Sequence, residues 1–405
     1  MNTSDTAGHF RKKILLITDS YWPLLGGVEN WVHALAADLA NTHEVFIITH
    51  ASGPKYGPRS FCSPAPKTPA PDQDDFGNRI ITLLPTAVKR IILLPLILWH
   101  LPLIRKFWAK GFFDFLFIFY RAAFSSTLRA LIKNADVAHS FSTGYLGVLA
   151  TRICVHDSIP LIHSPPVHFD KWGDTPLLLK SYARADAIMC LSNAFKNEFL
   201  KRMPGAPCEI IVNPAPVKDQ AGRTAPRPHE KVPFVLFLGR REEHKGAAML
   251  AAAFTKINTK ARLVFAGPGP SLNAPNESIE DKGEVDERTK RRLLESCDVL
   301  CVPSRDESFG IVYVEAMMHG KPVIALKMAP INEIVIHNQT GLLVPGGRED
   351  LLTKALEELL SNKQLREKFG ANGRKRYEEV FEEKIVMKRT RDLYDKILSG
   401  DTRKG

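Results

Sequence analysis

Residues 303–325 read PSRDESFGIVYVEAMMHGKPVIA, and this stretch decides the fold. The apolar run at 298–302 predicts a buried strand before it. Residues 303–308 then predict a polar turn, and the remainder predicts a helix followed by a second strand. This order is the βαβ unit of an open parallel sheet. Because such sheets bind ligands beyond the carboxyl ends of their strands, we expect the loop to lie at a binding edge.

Two carboxylates frame this loop: Glu307 lies within it, and Glu315 lies eight positions later on the predicted helix. The small residues Ser308 and Gly310 let a ligand approach the backbone N–H groups at the helix start, where aligned peptide dipoles favour an anion. Carboxylates accept hydrogen bonds from hydroxyl groups, so the pair predicts a sugar or ribose site. The alternative is an ordinary turn with two solvated glutamates.

The stretch resembles the Glu-x7-Glu signature of retaining glycosyltransferases of the GT-B fold, family four, also called glycosyl transferases group 1. The match continues through residues 320–324 (GKPVI) and 340–344 (TGLLV). The resemblance covers nearly the whole chain and is strong from about 234 to 345. It implies an α/β fold with two Rossmann-like domains facing a central cleft, the donor being held mainly by the second domain and the acceptor by the first.

The chain has 405 residues, which is enough for two domains with separate cores. A polar, proline-rich stretch marks a linker at 216–232. We therefore predict an N-terminal acceptor-binding domain at 1–215 and a nucleotide-sugar-binding domain at 233–380. The resemblance implies that a C-terminal helix, 381–405, returns to the first domain.

The cysteines and the N-terminus both favour a cytoplasmic protein. The six cysteines, at positions 62, 154, 190, 208, 297 and 301, form no Cys-x-x-Cys pair, which is typical of structural thiols in a reducing compartment. The start of the chain is polar, and the apolar run after it, 14–17, is too short for a secretory signal.

The formal net charge is +11, which predicts an acidic partner. Within 87–134, eight basic residues accompany one acid, Asp114, and the segment contains the fourteen-residue apolar run 91–104. That run is too short and too rich in proline to span a bilayer, which takes about 20 apolar residues. Bases flanking apolar and aromatic residues predict an element lying on an anionic membrane surface. The alternative is a pair of buried core helices.

Nucleic acid is disfavoured as the acidic partner, because no recognition motif accompanies the basic residues.

In the first domain, paired glycines and histidines follow predicted strands. Gly26 and Gly27 come after the first strand, and the resemblance implies that this pair faces the donor phosphates. His163 closes the fifth strand, where the family places a histidine over the donor sugar; His139 and His168 match less firmly. A histidine that ends a strand is otherwise a structural, hydrogen-bonded residue.

In the second domain, Arg240 and Lys245 follow its first strand and match the family's Gly-Arg…Lys-Gly pattern. Such cations would hold a diphosphate and stabilise the charge that develops as it leaves. The resemblance also implies a nucleobase site at Gly267 and Val285. It assigns sugar hydroxyls to Glu307 with the backbone of Phe309, Gly310 and Ile311, and it assigns the donor ribose to Glu315.

No metal or cofactor is expected, because no cluster of histidine, cysteine and carboxylate has ligand spacing. The sequence Asp72-Gln73-Asp74 resembles the Asp-x-Asp metal motif of the other glycosyltransferase fold. No strand leads into it and prolines precede it, so we predict that this stretch is a solvated part of a long exposed loop.

The sequence therefore predicts a retaining, metal-independent glycosyltransferase that uses a nucleotide diphosphate sugar. The basic apolar segment predicts a lipid or lipid-linked acceptor and peripheral attachment to the inner face of the cytoplasmic membrane. No side chain stands out as a nucleophile, so front-face return and a covalent step both remain open. The rival functions are a sugar phosphorylase, a nucleotide-sugar epimerase and a non-catalytic membrane-surface binding protein.

Overall fold

The computed structural model describes residues 11–21, 27–50, 72–99, 110–171, 173–214, 232–270 and 277–400. The chain divides into two compact units. Unit 1 contains Met1–Cys190, Lys196–Ile210 and Arg389–Gly405, and unit 2 contains Leu191–Phe195 and Ile211–Lys388. The predicted linker lies outside the described residues except for position 232.

Unit 1 contains a seven-stranded parallel sheet, whose strands are β1 (Lys13–Thr18), β2 (Glu44–Thr49), β3 (Arg79–Thr82), β4 (Val137–Ser140), β5 (Leu161–His163), β6 (Ala187–Cys190) and β7 (Cys208–Ile210). Their order is β3-β2-β1-β4-β5-β6-β7. The central strand β1 is buried from Ile14 to Ile17, because helices cover both faces of a parallel sheet. The order reverses beside β1, and this is the place where open sheets bind ligands.

Seven helices are described in the N-terminal half of the chain, namely α1 (Gly27–Ala40), α2 (Ala87–Ile92), α3 (Leu94–Trp99), α4 (Lys110–Ile132), α5 (Tyr145–His156), α6 (Pro176–Tyr182) and α7 (Asn193–Arg202). Side-chain caps fix two of the helix starts. The Thr86 hydroxyl accepts from the Lys89 N–H before α2, and the Thr175 hydroxyl accepts from the Leu178 N–H before α6.

Unit 2 has a six-stranded parallel sheet of strands β8 (Phe234–Leu238), β9 (Arg262–Ala266), β10 (Ile279–Asp281), β11 (Val299–Val302), β12 (Val323–Leu326) and β13 (Gly341–Val344). Their order is β10-β9-β8-β11-β12-β13. The two parallel sheets confirm the predicted α/β class with two Rossmann-like domains. β11 and β12 flank the deciding loop and helix, as the βαβ pattern predicts.

The remaining helices are α8 (Ala247–Phe254), α9 (Glu287–Ser296), α10 (Ile311–Met318), α11 (Ile331–Ile334), α12 (Glu349–Ser361), α13 (Lys363–Arg376) and α14 (Glu383–Leu398). A short π-helical turn, Tyr377–Phe381, precedes α14. From Arg389 onward α14 belongs to unit 1. There the Arg391 guanidinium pairs with Asp38, and the Tyr394 hydroxyl bonds His139 Nδ1 at 2.7 Å.

The basic apolar segment combines a buried and an exposed face. On α4, Leu116, Tyr120 and Phe124 are buried, and the helix packs against α5. By length and composition alone, Asp114–Ile132 is the one described helix long and apolar enough to cross a membrane, and 39% of it is buried. The alternative of buried core helices is therefore correct for one face of α4. Residues 100–109 lie outside the described part.

The prediction of a solvated Asp72–Asp74 stretch is wrong for Asp74, whose side chain is buried. Its carboxylate accepts hydrogen bonds from the Tyr21 hydroxyl at 2.8 Å, from the Phe76 N–H at 3.0 Å and from the Asn78 N–H at 2.9 Å. The Asn78 side-chain amide donates to it as well, at 3.0 Å, and a carboxylate with these four donors organises a tight turn before β3. Local sequence patterns do not indicate the contact with Tyr21, because Tyr21 lies 53 positions before Asp74.

The described cysteines are all free and buried, namely Cys154, Cys190, Cys208, Cys297 and Cys301. Burial raises the pKa of the Cys154 thiol to about 12 and raises that of Cys301 further. These five thiols are structural, as predicted. Cys62 lies outside the described residues.

Candidate active site

In unit 2, two loops meet at the carboxyl ends of neighbouring strands. β8 pairs with β11, so the loop at 239–246 lies beside the loop at 303–310. The Arg305 N–H donates to the His244 carbonyl at 2.7 Å, and the Ser304 hydroxyl donates to the same carbonyl at 3.4 Å. These bonds hold the two predicted donor loops together.

An ion pair between Lys245 and Glu307 joins the two loops through their side chains. Lys245 Nζ donates to Glu307 Oε1 at 2.7 Å, and the two side chains are 16% and 11% exposed. The predicted partner cation, Arg240, is instead 65% exposed and pairs with Glu242 at 2.6 Å. The structure therefore brings Lys245 and Glu307 together and leaves Arg240 extended into solvent.

Gly310 is required by the backbone at the start of α10. Its φ is 90°, in the left-handed region, and a Cβ there would lie 2.6 Å from the Tyr313 ring. The Tyr313 hydroxyl fixes that ring by donating to the Val302 carbonyl at 2.9 Å. No side chain caps α10, so the helix start at Ile311 offers N–H groups to an anion. Phe309 is buried beside Phe381.

The loops after β8, β9 and β10 are joined around Gly267. Its φ is 133°, and a Cβ there would lie 2.1 Å from the Gly239 carbonyl oxygen. The Gly267 N–H donates to the Gly283 carbonyl at 2.7 Å. Val285, two positions later, is half-buried and directly precedes Asp286, which caps α9 through the Thr289 N–H at 2.7 Å. The two residues predicted for the nucleobase thus lie on loops that are hydrogen-bonded to each other.

Glu315 is the fifth residue of α10, the helix that follows the loop, and its side chain is 7% exposed. Lys290 of α9 donates to Glu315 Oε1 at 2.6 Å. Burial raises the pKa of Glu315 above its ordinary value, and the neighbouring Lys290 opposes that rise. The pKa of Lys290 is raised as well, because its carboxylate partners outweigh the effect of burial.

In unit 1, Gly27 is the first residue of α1, and a Cβ there would have open space within 4 Å. Gly26 lies outside the described residues. Asp19 directly follows strand β1 and accepts from the Ser142 hydroxyl at 2.6 Å and from the Thr143 N–H at 3.0 Å. Burial raises the pKa of Asp19. This carboxylate holds the loop after β4 to the end of β1.

His139, the third residue of β4, and His163, the last residue of β5, are fully buried. His163 Nε2 bonds the Thr151 hydroxyl of α5 at 2.9 Å, and its ring packs edge-on to Tyr182. His163 Nδ1 has no hydrogen-bond partner within the described residues. His139 is hydrogen-bonded at both ring nitrogens, to Tyr394 and, through Nε2, to Ser164 at 2.7 Å. Burial lowers the pKa of His163 to about 3 and lowers that of His139, so both rings are neutral near pH 7.

Two family sequence models match consecutive parts of the chain. Residues 25–219 match Glycosyltransferase Family 4, and residues 221–376 match Glycosyl transferases group 1. These two matches identify the chain as a glycosyltransferase that is similar to the group 1 family. An uncharacterised glycosyltransferase of Methanocaldococcus jannaschii is 27% identical over 65% of this chain and 76% of that protein.

Two named relatives of this glycosyltransferase match shorter stretches. A phosphatidyl-myo-inositol mannosyltransferase of Mycobacterium leprae is 37% identical over 34% of this chain and 40% of that protein. The D-rhamnosyltransferase WbpZ of Pseudomonas aeruginosa is 31% identical over 36% of this chain and 41% of that protein. The alignments to these two proteins thus span about two fifths of their length.

Solved structures confirm the GT-B fold of this glycosyltransferase. Sucrose-phosphate synthase from Thermosynechococcus elongatus has a TM-score of 0.68 at 19% identity, covering 96% of this chain and 100% of that one. Anabaena HepE in complex with UDP has a TM-score of 0.68 at 15% identity, covering 95% of this chain and 99% of that one.

Two charged residues close to the predicted donor-binding residues are not predicted by the sequence. Lys290 contacts Glu315, and Arg241 forms a buried ion pair with Asp281 while Arg241 Nη2 donates to the Gly269 carbonyl at 2.9 Å. Both residues lie in stretches rich in charge, where the sequence favours a solvated face. Within the described residues, no group of three histidine, cysteine or carboxylate side chains is placed to hold a metal ion.

Proposed function

We propose that this protein is a retaining glycosyltransferase that moves a sugar from a nucleotide diphosphate sugar to an acceptor hydroxyl, without a metal ion. The observation that carries the proposal is the half-buried Lys245–Glu307 pair at the carboxyl edge of unit 2, with the buried Glu315 on the next helix. At one sheet edge, a cation and an uncapped helix start suit a phosphate, and a carboxylate that accepts hydrogen bonds from hydroxyl groups suits a sugar bound beside it.

The cations act on the diphosphate. Lys245 and the long, exposed side chain of Arg240 bind the oxygens of the diphosphate. They stabilise the negative charge that develops on the diphosphate as the bond between the sugar and its oxygen breaks. Because these positive groups supply the charge that a metal ion supplies elsewhere, we expect activity to persist in a chelator.

The carboxylates act on hydroxyl groups. Glu307, with the backbone N–H groups of Phe309, Gly310 and Ile311, binds the hydroxyls of the transferred sugar. Glu315 accepts from the ribose diol, and the loops carrying Gly267 and Val285 enclose the nucleobase. When the phosphate engages Lys245, Glu307 exchanges its bond to that lysine for bonds to the sugar.

His163 lines the reacting face of the sugar in this proposal. A neutral ring suits that position, since a cation there would oppose the positive charge that develops on the sugar as the leaving group departs. Full burial holds the ring neutral, and Thr151 fixes its orientation through Nε2.

The proposal is tested by measuring thermal stabilisation across a panel of nucleoside diphosphate sugars with EDTA present, for wild type and Glu315→Ala. One sugar nucleotide should raise the unfolding midpoint of wild type only. Transfer from that donor, followed by NMR of the anomeric proton in the product, should show the donor's own configuration. An inverted product would reject retention, and stabilisation by no donor would reject the transferase. Product formed only with phosphate, or donor isomerised without acceptor, would indicate a phosphorylase or an epimerase.

We propose further that the acceptor is a lipid or lipid-linked glycan presented at the inner face of the cytoplasmic membrane. The support is a set of exposed apolar side chains on or next to helices α2, α3 and α4, which contact one another in unit 1, namely Leu84, Val88, Ile91, Leu94, Phe115 and Ile118. Val88 and Ile91 are 68% and 73% exposed, and basic residues such as Arg121 lie exposed on the same helices. Apolar side chains beside cations favour insertion into an anionic surface.

Vesicle sedimentation tests the membrane proposal. Wild type should bind vesicles with phosphatidylglycerol more strongly than neutral ones, and Val88→Asp/Ile91→Asp should abolish the difference. Phe76→Asp is the matched control, because Phe76 is a half-exposed apolar residue of unit 1 outside this face. Equal binding to neutral and anionic vesicles would reject the membrane surface.

A further inference from the structure

Lys290 is a partly buried cation that has no role in the proposed chemistry. Its Nζ lies 2.6 Å from Glu315 Oε1 and 3.5 Å from Glu287 Oε2. The lysine side chain is 23% exposed and that of Glu315 is 7% exposed. Ion pairs on a protein surface are worth about 0–1 kcal/mol and often nothing, but a pair this well shielded from water is coupled more strongly.

The position of Lys290 links two parts of the donor site. The residue lies in the second turn of α9, the helix that follows Gly283 and Val285, which we propose for the nucleobase. Its ammonium group contacts the carboxylate that we propose for the ribose. The Asp286 side chain caps the start of α9, which fixes the helix from which Lys290 extends.

A ribose diol donates hydrogen bonds, so its partner carboxylate must be charged to accept with both oxygens. Hydrogen bonds to a charged acceptor are also roughly twice as strong as those between neutral groups. Burial works against that charge, and it is the largest influence raising the pKa of Glu315. Lys290 lowers the pKa of Glu315, whereas Glu287 raises it.

We propose that Lys290 is a positioning residue that keeps Glu315 ionised and oriented toward the ribose of the bound nucleotide. This inference rests on the proposed function, because it takes Glu315 as the ribose-binding residue. Lys290 acts through Glu315 and takes no part in the sugar transfer itself.

The test compares Lys290→Met and Lys290→Arg with wild type by calorimetric titration of UDP, GDP and their 2′-deoxy forms at pH 6, 7 and 8. Lys290→Met should bind the ribonucleotide about tenfold to a hundredfold more weakly at pH 6, the equivalent of losing hydrogen bonds to a charged group. It should also lose most of the preference for ribose over deoxyribose. Affinity should recover partly at pH 8, where the carboxyl group is again charged, and Lys290→Arg should stay close to wild type.

Lys256→Met is the matched control. Lys256 forms an ion pair of the same length, 2.6 Å to Glu349 Oε1, in the same unit but at an exposed position. The Lys256→Met variant should bind the nucleotides with the same affinity as wild type at every pH, and with the same preference for ribose. A loss that is equal in the two variants would mark a general effect of removing a lysine and would overturn the inference.

The unfolding midpoint of the ligand-free variants gives a second readout that needs no nucleotide. When folding raises the pKa of a carboxyl group, the protein loses stability as the pH rises through the interval between the unfolded and the folded pKa. Without Lys290 the folded pKa of Glu315 rises further, which widens the interval between its unfolded and folded pKa values. The unfolding midpoint of Lys290→Met should therefore fall more between pH 5 and pH 8 than that of wild type. Lys290→Met/Glu315→Gln should remove the added slope.

The outcomes separate the two claims. If wild type binds neither UDP nor GDP and no donor of the nucleoside diphosphate sugar panel stabilises it, the proposed function and this inference are both overturned. If wild type binds and Glu315→Gln weakens binding while Lys290→Met leaves affinity, pH profile and ribose preference unchanged, the inference alone is overturned.

Discussion

At the scale of single residues, Gly310 shows how closely the donor loop is determined. Its left-handed backbone and the Tyr313 ring 2.6 Å from a Cβ both exclude a side chain. We expect Gly310→Ala to lower the free energy of unfolding by about 1–3 kcal/mol, measured by urea denaturation. Gly346→Ala is the control, because Gly346 has no positive φ and open space for a Cβ. Equal losses in the two variants would contradict the structural reason given.

Lys245 carries a second prediction at this scale. Its ammonium group is the half-buried cation of the site, so Lys245→Met should lower kcat about 10²-fold to 10³-fold, as the loss of one preorganised donor to a developing charge does. Initial rates of transfer from the donor measure the effect. Lys363→Met, whose partner Glu367 is 3.6 Å away on α13, gives the baseline, and equal rates in the two variants would remove Lys245 from the catalytic group.

The sequence predicted single residues well where the signal is local. Gly310 and Glu307 lie within one motif, and spacing alone placed them on a loop at a strand's carboxyl end. Lys290 and Arg241 were missed because their partners lie 25 and 40 positions away, and only the folded sheet brings each pair together. A charged residue in a polar stretch gives no sign that it will be buried.

At the scale of elements, the Arg241–Asp281 pair joins the loop after β8 to strand β10. The two side chains are 4% and 14% exposed, and Arg241 Nε has no hydrogen-bond partner among the described residues. Arg241→Met should destabilise the protein by about 3–5 kcal/mol, because it leaves a buried carboxylate uncompensated. Denaturant unfolding of unit 2 measures the loss.

Two further variants bracket that prediction. Arg241→Met/Asp281→Leu should recover most of the lost stability, because an apolar pair replaces both charges. Arg348→Met removes an exposed ion pair with Asp350 at 2.7 Å and should cost less than about 1 kcal/mol. A small cost for Arg241→Met, similar to that of Arg348→Met, would show that water compensates Asp281.

The segment 87–134 shows where sequence patterns are least decisive for an element. Aromatic and aliphatic residues occupy all sides of α4, so no periodicity separates a core face from an exposed one. In the structure Phe117 and Leu128 are buried, whereas Phe115 and Ile118 are more than half exposed. The exposed face follows from where α5 packs, which is a tertiary property.

At the scale of the whole molecule, buried neutral histidines make stability depend on pH. Burial lowers the pKa of His50 and His319 to about 4 and that of His163 to about 3. Each ring becomes protonated more readily in the unfolded chain, so stability falls as pH drops below about 6.5. Each of these histidines should lower the free energy of unfolding by up to about 1.4 kcal/mol for every pH unit below 6.5, until the pH reaches its folded pKa.

Denaturant unfolding between pH 7 and pH 5 measures this dependence, and His50→Gln should reduce its slope. Asp19 and Glu315 act in the opposite direction, because burial raises their pKa and their contribution improves as the pH falls. A stability that stays flat or rises from pH 7 to pH 5 in wild type would show that these carboxyl groups outweigh the histidines.

The overall architecture was the most predictable level. Short apolar runs alternating with helical segments dictate parallel sheets, and the strand predicted at 298–302 is found at Val299–Val302. The buried turn around Asp74 was not predictable in the same way, because its donor Tyr21 precedes an entire helix and strand. Local patterns therefore determine the layers, and contacts distant in sequence determine which polar groups are buried in them.

The buried thiols give each unit an internal probe of its own opening. Cys301 lies at the centre of the unit 2 sheet and Cys154 lies in helix α5 of unit 1, and neither is exposed to solvent. A thiol reagent can modify them only when the surrounding strand or helix transiently separates, so the two modification rates report the opening of two different units. Followed by mass spectrometry as a function of added nucleotide, slower modification at Cys301 with an unchanged rate at Cys154 would identify the unit that a ligand holds closed.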